Sequence, residues 1–427
     1  MAGTPRSTAA LEVADLLKIA ARAVYTVSGP VIVDGAVLIG EDGRIAEVGT
    51  AEKVSQPESA GTVELPDTIL MPGLVNLHTH LELTALGGRI EEDDFFEWIQ
   101  HVRKAKTEMA MEAFRASAGQ GVRDGWRWGI TTVADTGDSG AVVDALTDLG
   151  GRGVVYQEVF GPHPADAAEA FAALEKTVEE LIVRAGDSVR IGVSPHAPYT
   201  VSRPLYRRVV EFAKSQSLPV AVHIAESHAE VDLVTQGKGQ FAEAWSRRGI
   251  PEIATARSPV AYLHELGVLR EGLLAVHAVQ TDLADAKLLG DHGCSVALCP
   301  QSNVRHGHGA PPIGRFREAG LAMGLGTDSV ASVGSLDLFR EMRHVRRLGG
   351  LSAAEVIELA TLAGARALEL EGQIGSLQVG KWADMCVLRM APGGWSSPET
   401  MAEGILDTAA GDVVQTYVAG RCVYDAC

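Results

Sequence analysis

Apolar residues in the middle of the chain fall into short, nearly continuous runs. They lie at 74–80, 131–136, 153–160, 190–198, 219–226, 273–279, 294–300 and 321–328, eight in all. Stretches of helical character, such as 165–184 and 203–215, separate them. Continuous apolar runs alternating with helices mark parallel strands covered on both faces. Eight strand–helix units in about 300 residues predict an α/β fold, a (β/α)8 TIM barrel. An open doubly wound sheet is the alternative. No GxGxxG follows the first run, which weighs against its dinucleotide-binding form.

The two ends carry a different pattern. Runs at 31–39 and 45–48 flank Glu41-Asp42-Gly43, and Asp-Gly is a strong hairpin signal. At the other end, 374–379 and 385–388 flank Gly380-Lys381, and two further runs lie at 413–417 and 421–424. Neither end is long enough for a core of its own. The prediction is a small β-sandwich domain built from 1–70 together with 375–427, beside a barrel domain at 71–374.

Composition narrows the function. The 427 residues are 46% hydrophobic and 22% charged, which excludes a disordered or fibrous chain. A formal charge of −18 argues against nucleic acid as a partner, because such binding needs a basic face. No apolar run reaches the ~18 residues that span a bilayer. The stretch from Leu11 to Val24 is broken by Glu12, Asp15, Lys18 and Arg22, unlike a signal peptide. The five cysteines (Cys294, Cys299, Cys386, Cys422 and Cys427) include no CxxC, which favours a reducing, cytoplasmic setting. The expected partner is a small molecule, and a homo-oligomer is left open.

Chemistry gathers at the ends of the apolar runs. His78-Thr79-His80 closes the first run, and residues i and i+2 of a strand point the same way. Two imidazoles on one face are a start for a Zn²⁺ or Fe²⁺ site. His196, His223, Glu226, His277 and Asp328 recur at the ends of later runs. A single core histidine is ordinarily satisfied by the backbone. Seven polar residues at one end of a barrel, the end where such active sites lie, are not explained that way. A second HxH, His306-Gly307-His308, is interleaved with glycine and reads as a solvated loop or a rim.

Met71-Pro72-Gly73-Leu74-Val75-Asn76-Leu77-His78-Thr79-His80 resembles the first-strand signature of the amidohydrolase superfamily. Ser194-Pro195-His196-Ala197-Pro198, His223-Ile224-Ala225-Glu226, His277 and Gly326-Thr327-Asp328-Ser329 resemble its later motifs. In order, they are similar to the cytosine deaminase-like branch, which includes deaminases of adenosine-type nucleosides and the s-triazine chlorohydrolases. The resemblance implies one divalent metal ion, Zn²⁺ first and Fe²⁺ as the alternative, on His78, His80, His223 and Asp328. It also implies Glu226 as proton shuttle, His277 orienting a metal-bound hydroxide, and His196 contacting substrate. Binuclear members carry a carboxylated lysine on the fourth strand, and 190–198 contains no lysine, so one metal is expected.

Leu81-Glu82-Leu83-Thr84 and Phe95-Phe96-Glu97-Trp98-Ile99 resemble the subset containing aminodeoxyfutalosine deaminases. Glu82 would accept hydrogen bonds from a ribose or an amine, or only solvate a rim loop. Trp98 would stack on a base or, the commoner fate, pack a lid helix. Glu158 is a further pocket candidate, with a buried paired carboxylate as the alternative. Gln301 and Asn303, within a CPxSN element, would hold a ring amide or fix their loop. The resulting expectation is a hydrolytic deaminase of a purine-type nucleoside or related amino-heterocycle, releasing ammonia. The alternatives are an s-triazine-type hydrolase, a guanine or pterin deaminase, and an inactive scaffold with this fold.

Overall fold

The computed structural model describes residues 16–251, 255–390 and 397–426. The start of the stretch beginning at Leu11, and Cys427, lie outside them. Four strands come first: β1 (Leu17–Val24), β2 (Ile32–Ile39), β3 (Ile45–Thr50) and β4 (Gly61–Pro72). Eight follow: β5 (Leu74–Thr79), β6 (Ile130–Gly137), β7 (Arg152–Val159), β8 (Val189–Pro195), β9 (Ala221–Ile224), β10 (Leu274–His277), β11 (Ser295–Leu298) and β12 (Ala322–Leu325). The last three are β13 (Met385–Arg389), β14 (Val413–Val418) and β15 (Arg421–Asp425).

Each of the eight apolar runs overlaps one strand, and all eight pair in parallel. They form two four-stranded sheets, ordered β5-β6-β7-β8 and β12-β11-β10-β9. Strands β5, β6 and β7 are buried along their whole length, as expected for strands covered on both faces. Hydrogen bonds join the two sheets at both seams. Val193 bridges Val220 and His223 N donates to His196 O at one seam; Asp328 N donates to His78 O at the other. Helices lie between successive strands. The helix Ala167–Arg184 buries Leu174, Val178 and Leu181, a three-to-four-residue stripe.

The terminal strands also meet, in one seven-stranded sheet ordered β15-β14-β13-β4-β1-β2-β3. Pairing is unbroken from edge to edge, so the two ends of the chain build one continuous β-structure. Ile19, Val37, Ile39, Leu70, Met385 and Tyr417 share an apolar cluster of their own. Met71, Cys386, Leu388 and Val413 belong to the large cluster shared with the parallel sheets. The central strands β1 and β4 lie outside the runs that mark the terminal β pattern. The run at 374–379 is not a strand: it bends at 374–376 and leads into a turn at 379. Gly375 there has φ +83° and packs so closely on Leu362 and Ala365 that a Cβ would lie 2.9 Å or less from either.

One buried ion pair ties the terminal sheet to the parallel core. Arg152, at the start of β7, donates through Nε to Asp384 Oδ2 at 2.5 Å, and Asp384 Oδ1 accepts from Ala419 N at 2.7 Å. Both side chains are nearly inaccessible, at 7% and 1%. Removing one partner leaves a buried charge without compensation. Asp384→Ala is therefore expected to cost about 3–5 kcal/mol in urea unfolding, and a loss below ~1 kcal/mol would show that the pair is not structural.

Candidate active site

The expected residues do meet at the C-terminal ends of the parallel strands. Thr79 ends β5 and His80 follows it; His223 lies within β9 and His277 ends β10. Glu226 lies two residues beyond β9 and Asp328 three beyond β12. Strands β9 to β12 are only four residues long, so these two carboxylates sit on the turns that leave them. Ala225, His277, Ala278 and Asp328 all have positive φ, between 48° and 72°. Such backbone is unfavourable for residues other than glycine and persists where the surroundings over-determine it.

Those surroundings are specific. Glu230 accepts from Ala225 N at 2.8 Å and Glu226 N at 3.0 Å, fixing the turn that carries Glu226. Asn76 Oδ1 accepts from Thr327 N at 3.0 Å, and its Nδ2 donates to Thr327 Oγ1 at 2.8 Å. Gly326 allows β12 to approach β5: a Cβ there would lie 2.8 Å from His78 Cβ and 2.9 Å from Cys299 Sγ. Asp328 accepts from Ser329 N at 2.6 Å and from the Ser302 hydroxyl.

At the centre, ring nitrogens and a carboxylate face one another. His78 Nε2 lies 3.2 Å from His223 Nε2. Asp328 Oδ1 lies 3.5 Å from both His78 Nε2 and His80 Nε2. His80 Nδ1 is 2.8 Å from Thr136 O. A carbonyl only accepts, so Nδ1 carries the proton and Nε2 presents a lone pair. That lone pair faces a carboxylate oxygen, an arrangement that a cation between them would satisfy. The Nδ1 atoms of His78 and His223 are buried without a hydrogen-bond partner. Burial and neighbouring imidazoles lower His80 to about 4 and hold His223 well below its usual value. Burial acts to raise Asp328, but the imidazoles outweigh it and keep the carboxyl ionised. Neutral imidazoles with one carboxylate suit a borderline divalent metal such as Zn²⁺.

Glu226 sits beside this cluster. Its Oε1 lies 3.5 Å from His277 Nε2 and 3.6 Å from His308 Nε2. Burial raises Glu226, but the two imidazoles outweigh it and bring it down to about 2. His277 is oriented from behind by Asn303, with Nδ1 3.0 Å from Oδ1. His196 is held through Nδ1 by Thr200 Oγ1 at 2.8 Å and stacks on His223 at 4.7 Å. Its Nε2 lies 4.0 Å from Glu158 Oε1, an oxygen that is buried and unpartnered.

The remaining candidates are engaged within the fold. Glu82 pairs with Lys106 Nζ at 2.8 Å and accepts from Ser139. Gln301 donates to Glu341 from its side chain at 2.9 Å and its backbone at 3.2 Å. Trp98 packs in an apolar cluster with Leu83, Leu86, Val102 and Ala331, its ring 4.5 Å from His306. The second HxH is not a solvated loop: His306 and His308 are 6% and 5% exposed. Its glycines signal a loop, but nothing local signals that the loop turns inward.

Comparison with known proteins agrees with this geometry. The profile of the amidohydrolase family matches residues 69–423. A 5-methylthioadenosine/S-adenosylhomocysteine deaminase of Syntrophobacter fumaroxidans is 33% identical over 77% of this chain and 73% of its own. A zinc-bound crystal structure of an adenosine deaminase from Xanthomonas campestris superposes with a TM-score of 0.82, at 28% identity over 95% of this chain and 92% of that one. The aminofutalosine deaminase of Helicobacter pylori superposes with a TM-score of 0.82, at 22% identity over 96% of this chain and all of the other.

The opposed lone pairs make metal content a direct readout. Asp328→Ala removes the anion from the cluster, and the purified variant is expected to hold less than half the zinc of the parent by elemental analysis, with a matching loss of rate. Full metal with full activity would remove Asp328 from the site.

Proposed function

Because the chain belongs to the amidohydrolase family, we propose that it is a metal-dependent hydrolytic deaminase of a purine-type nucleoside, with a thioether or homocysteine-bearing adenosine as first candidate. In this reading the two four-stranded parallel sheets, with their hydrogen-bonded seams, are the halves of an eight-stranded barrel at 71–374. The segments 1–70 and 375–427 supply the second domain. Among the described residues, no helix is long and apolar enough to cross a membrane; the cytoplasm is the proposed location.

The observation that carries the reading is Glu226, a buried carboxylate aimed at the edge of a His/Asp cluster of facing lone pairs. His78, His80, His223 and Asp328 would hold the metal. Zinc bound there, or Fe²⁺ as the alternative, would supply a Lewis acid that makes water a nucleophile near neutral pH.

The chain's own residues then have distinct tasks. Glu226 is ionised, so its carboxylate can take a proton from the attacking water and deliver it to a ring nitrogen or the departing amine. His277, fixed by Asn303, keeps that carboxylate oriented. His196 presents Nε2 to the ring, because Thr200 engages Nδ1. Glu158 is pushed well above the usual carboxylate range by burial; a protonated carboxyl there can donate to a substrate acceptor. In sum, water adds to the amino-bearing carbon, the carbon–nitrogen bond breaks and ammonia leaves.

A direct test is an ammonia-release screen with zinc supplied, over adenosine, thiomethyladenosine, adenosylhomocysteine, aminodeoxyfutalosine, guanine, pterins and aminotriazines. Ammonia from an adenosine-type compound supports the reading. Halide from a chlorotriazine, with no ammonia from any purine, would replace it with the chlorohydrolase alternative. On the best substrate, Glu226→Gln is expected to keep its metal and lose at least ~10²-fold in turnover. Near-normal turnover would end the shuttle assignment.

A further inference from the structure

His308 has no part in the mechanism above, yet it reaches the same oxygen as His277. Its Nε2 is buried without a hydrogen-bond partner and lies 3.6 Å from Glu226 Oε1. The nearest contact of each imidazole with the carboxylate is to Oε1.

The placement of His308 is built. His308 N donates to Asn303 O at 2.8 Å, folding the loop back on the short helix before it. Gly307 and Gly309 have φ of +69° and +94°, and a Cβ at either would meet nothing within 4 Å. Their role is therefore conformational: they make the sharp bends that point His308 inward. Gln280 clamps the loop to the turn before Glu226. Its side chain donates to His308 O, and its backbone N donates to Ala225 O at 2.7 Å. The Phe95 ring stands edge-on against the imidazole, with centroids 4.4 Å apart.

We propose that His308 is a second positioning residue for Glu226, sharing with His277 the orientation of the carboxylate that moves protons. The inference rests on Glu226 being the shuttle. At 3.6 Å the contact is too long for a hydrogen bond, and catalytic contacts of this kind commonly tighten when substrate binds. His308 acts through the carboxylate and not on the substrate, so its effect falls on kcat rather than KM.

The test is a mutant cycle on the zinc-loaded protein with the best substrate of the ammonia screen. His308→Ala is expected to lower kcat by ~10-fold or more, the scale seen for orienting partners, with KM changed less than about twofold. His308→Gln, which keeps an amide donor near Nε2, should restore much of that loss and guards against an alanine variant that folds poorly. In a Glu226→Gln background, His308→Ala should lower kcat no further, because residues acting as one unit are not additive. Three results would overturn the proposal: unchanged kcat in both His308 variants, a change in KM alone, or single losses that multiply in the double variant. If Glu226→Gln itself stays active, the shuttle reading fails, separately from the role of His308.

Discussion

Mutual repulsion among buried lone pairs is the constraint on which the site depends. His78 Nε2, His80 Nε2, His223 Nε2 and Asp328 Oδ1 converge within a few ångströms, and burying such groups unpaired is costly. Left to relax, the side chains would turn apart. They are kept in place by groups outside the cluster: Thr136 behind His80, Asn76 between β5 and the turn after β12, and Ser302 and Ser329 on Asp328. The left-handed residues at the strand ends are part of the same arrangement. A cation is the natural resolution of the conflict, and the parallel sheets are the rigid frame that holds the conflict open for it.

Around that centre, similar carboxyl groups are set apart by their surroundings. Burial raises Glu226, but two imidazoles outweigh it. Glu230, four residues on, accepts from the backbone amides of Ala225 and Glu226 and is raised by burial to about 8. It supports the turn instead of reacting. Burial also acts to raise Glu82, yet the Lys106 ammonium brings the net shift down. Burial raises Glu158, Lys106 offsets only part of that, and the carboxyl stays raised. The ionised Glu226 therefore lies beside the His/Asp cluster, while the raised Glu158 lies on the His196 side.

The helix Phe95–Thr107 closes the same region. Its Lys106 bonds Glu82 and Asp138 at one end. Near its start, Arg305 reaches Asp93 at 2.9 Å, and Phe95 rests on His306 and His308. Trp98 packs into this wall and not into an open pocket, the commoner fate of a buried tryptophan. The wall on that side of the site is thus imidazole and aromatic, a surface suited to flat, weakly charged rings.

Much was legible in the sequence because strand chemistry is local. Side chains two apart share a face, continuous apolar runs mark doubly covered strands, and polar residues at the ends of those runs stand out against them. These rules located the eight parallel strands and predicted that His78, His80, His196, His223, Glu226, His277 and Asp328 belong together. What the sequence could not decide depends on partners distant in the chain. Glu82 is engaged by Lys106, Gln301 is held by Glu341, and the run at 374–379 gives up strand geometry to pack on Leu362 and Ala365. His308, which local composition places in a solvated loop or a rim, is turned inward by two glycines and clamped by Gln280. Periodicity is a property of neighbouring residues and can be read from their order. The direction of a loop, and the ion or amide that engages a side chain, are set by contacts that exist only once the sheets and helices have packed.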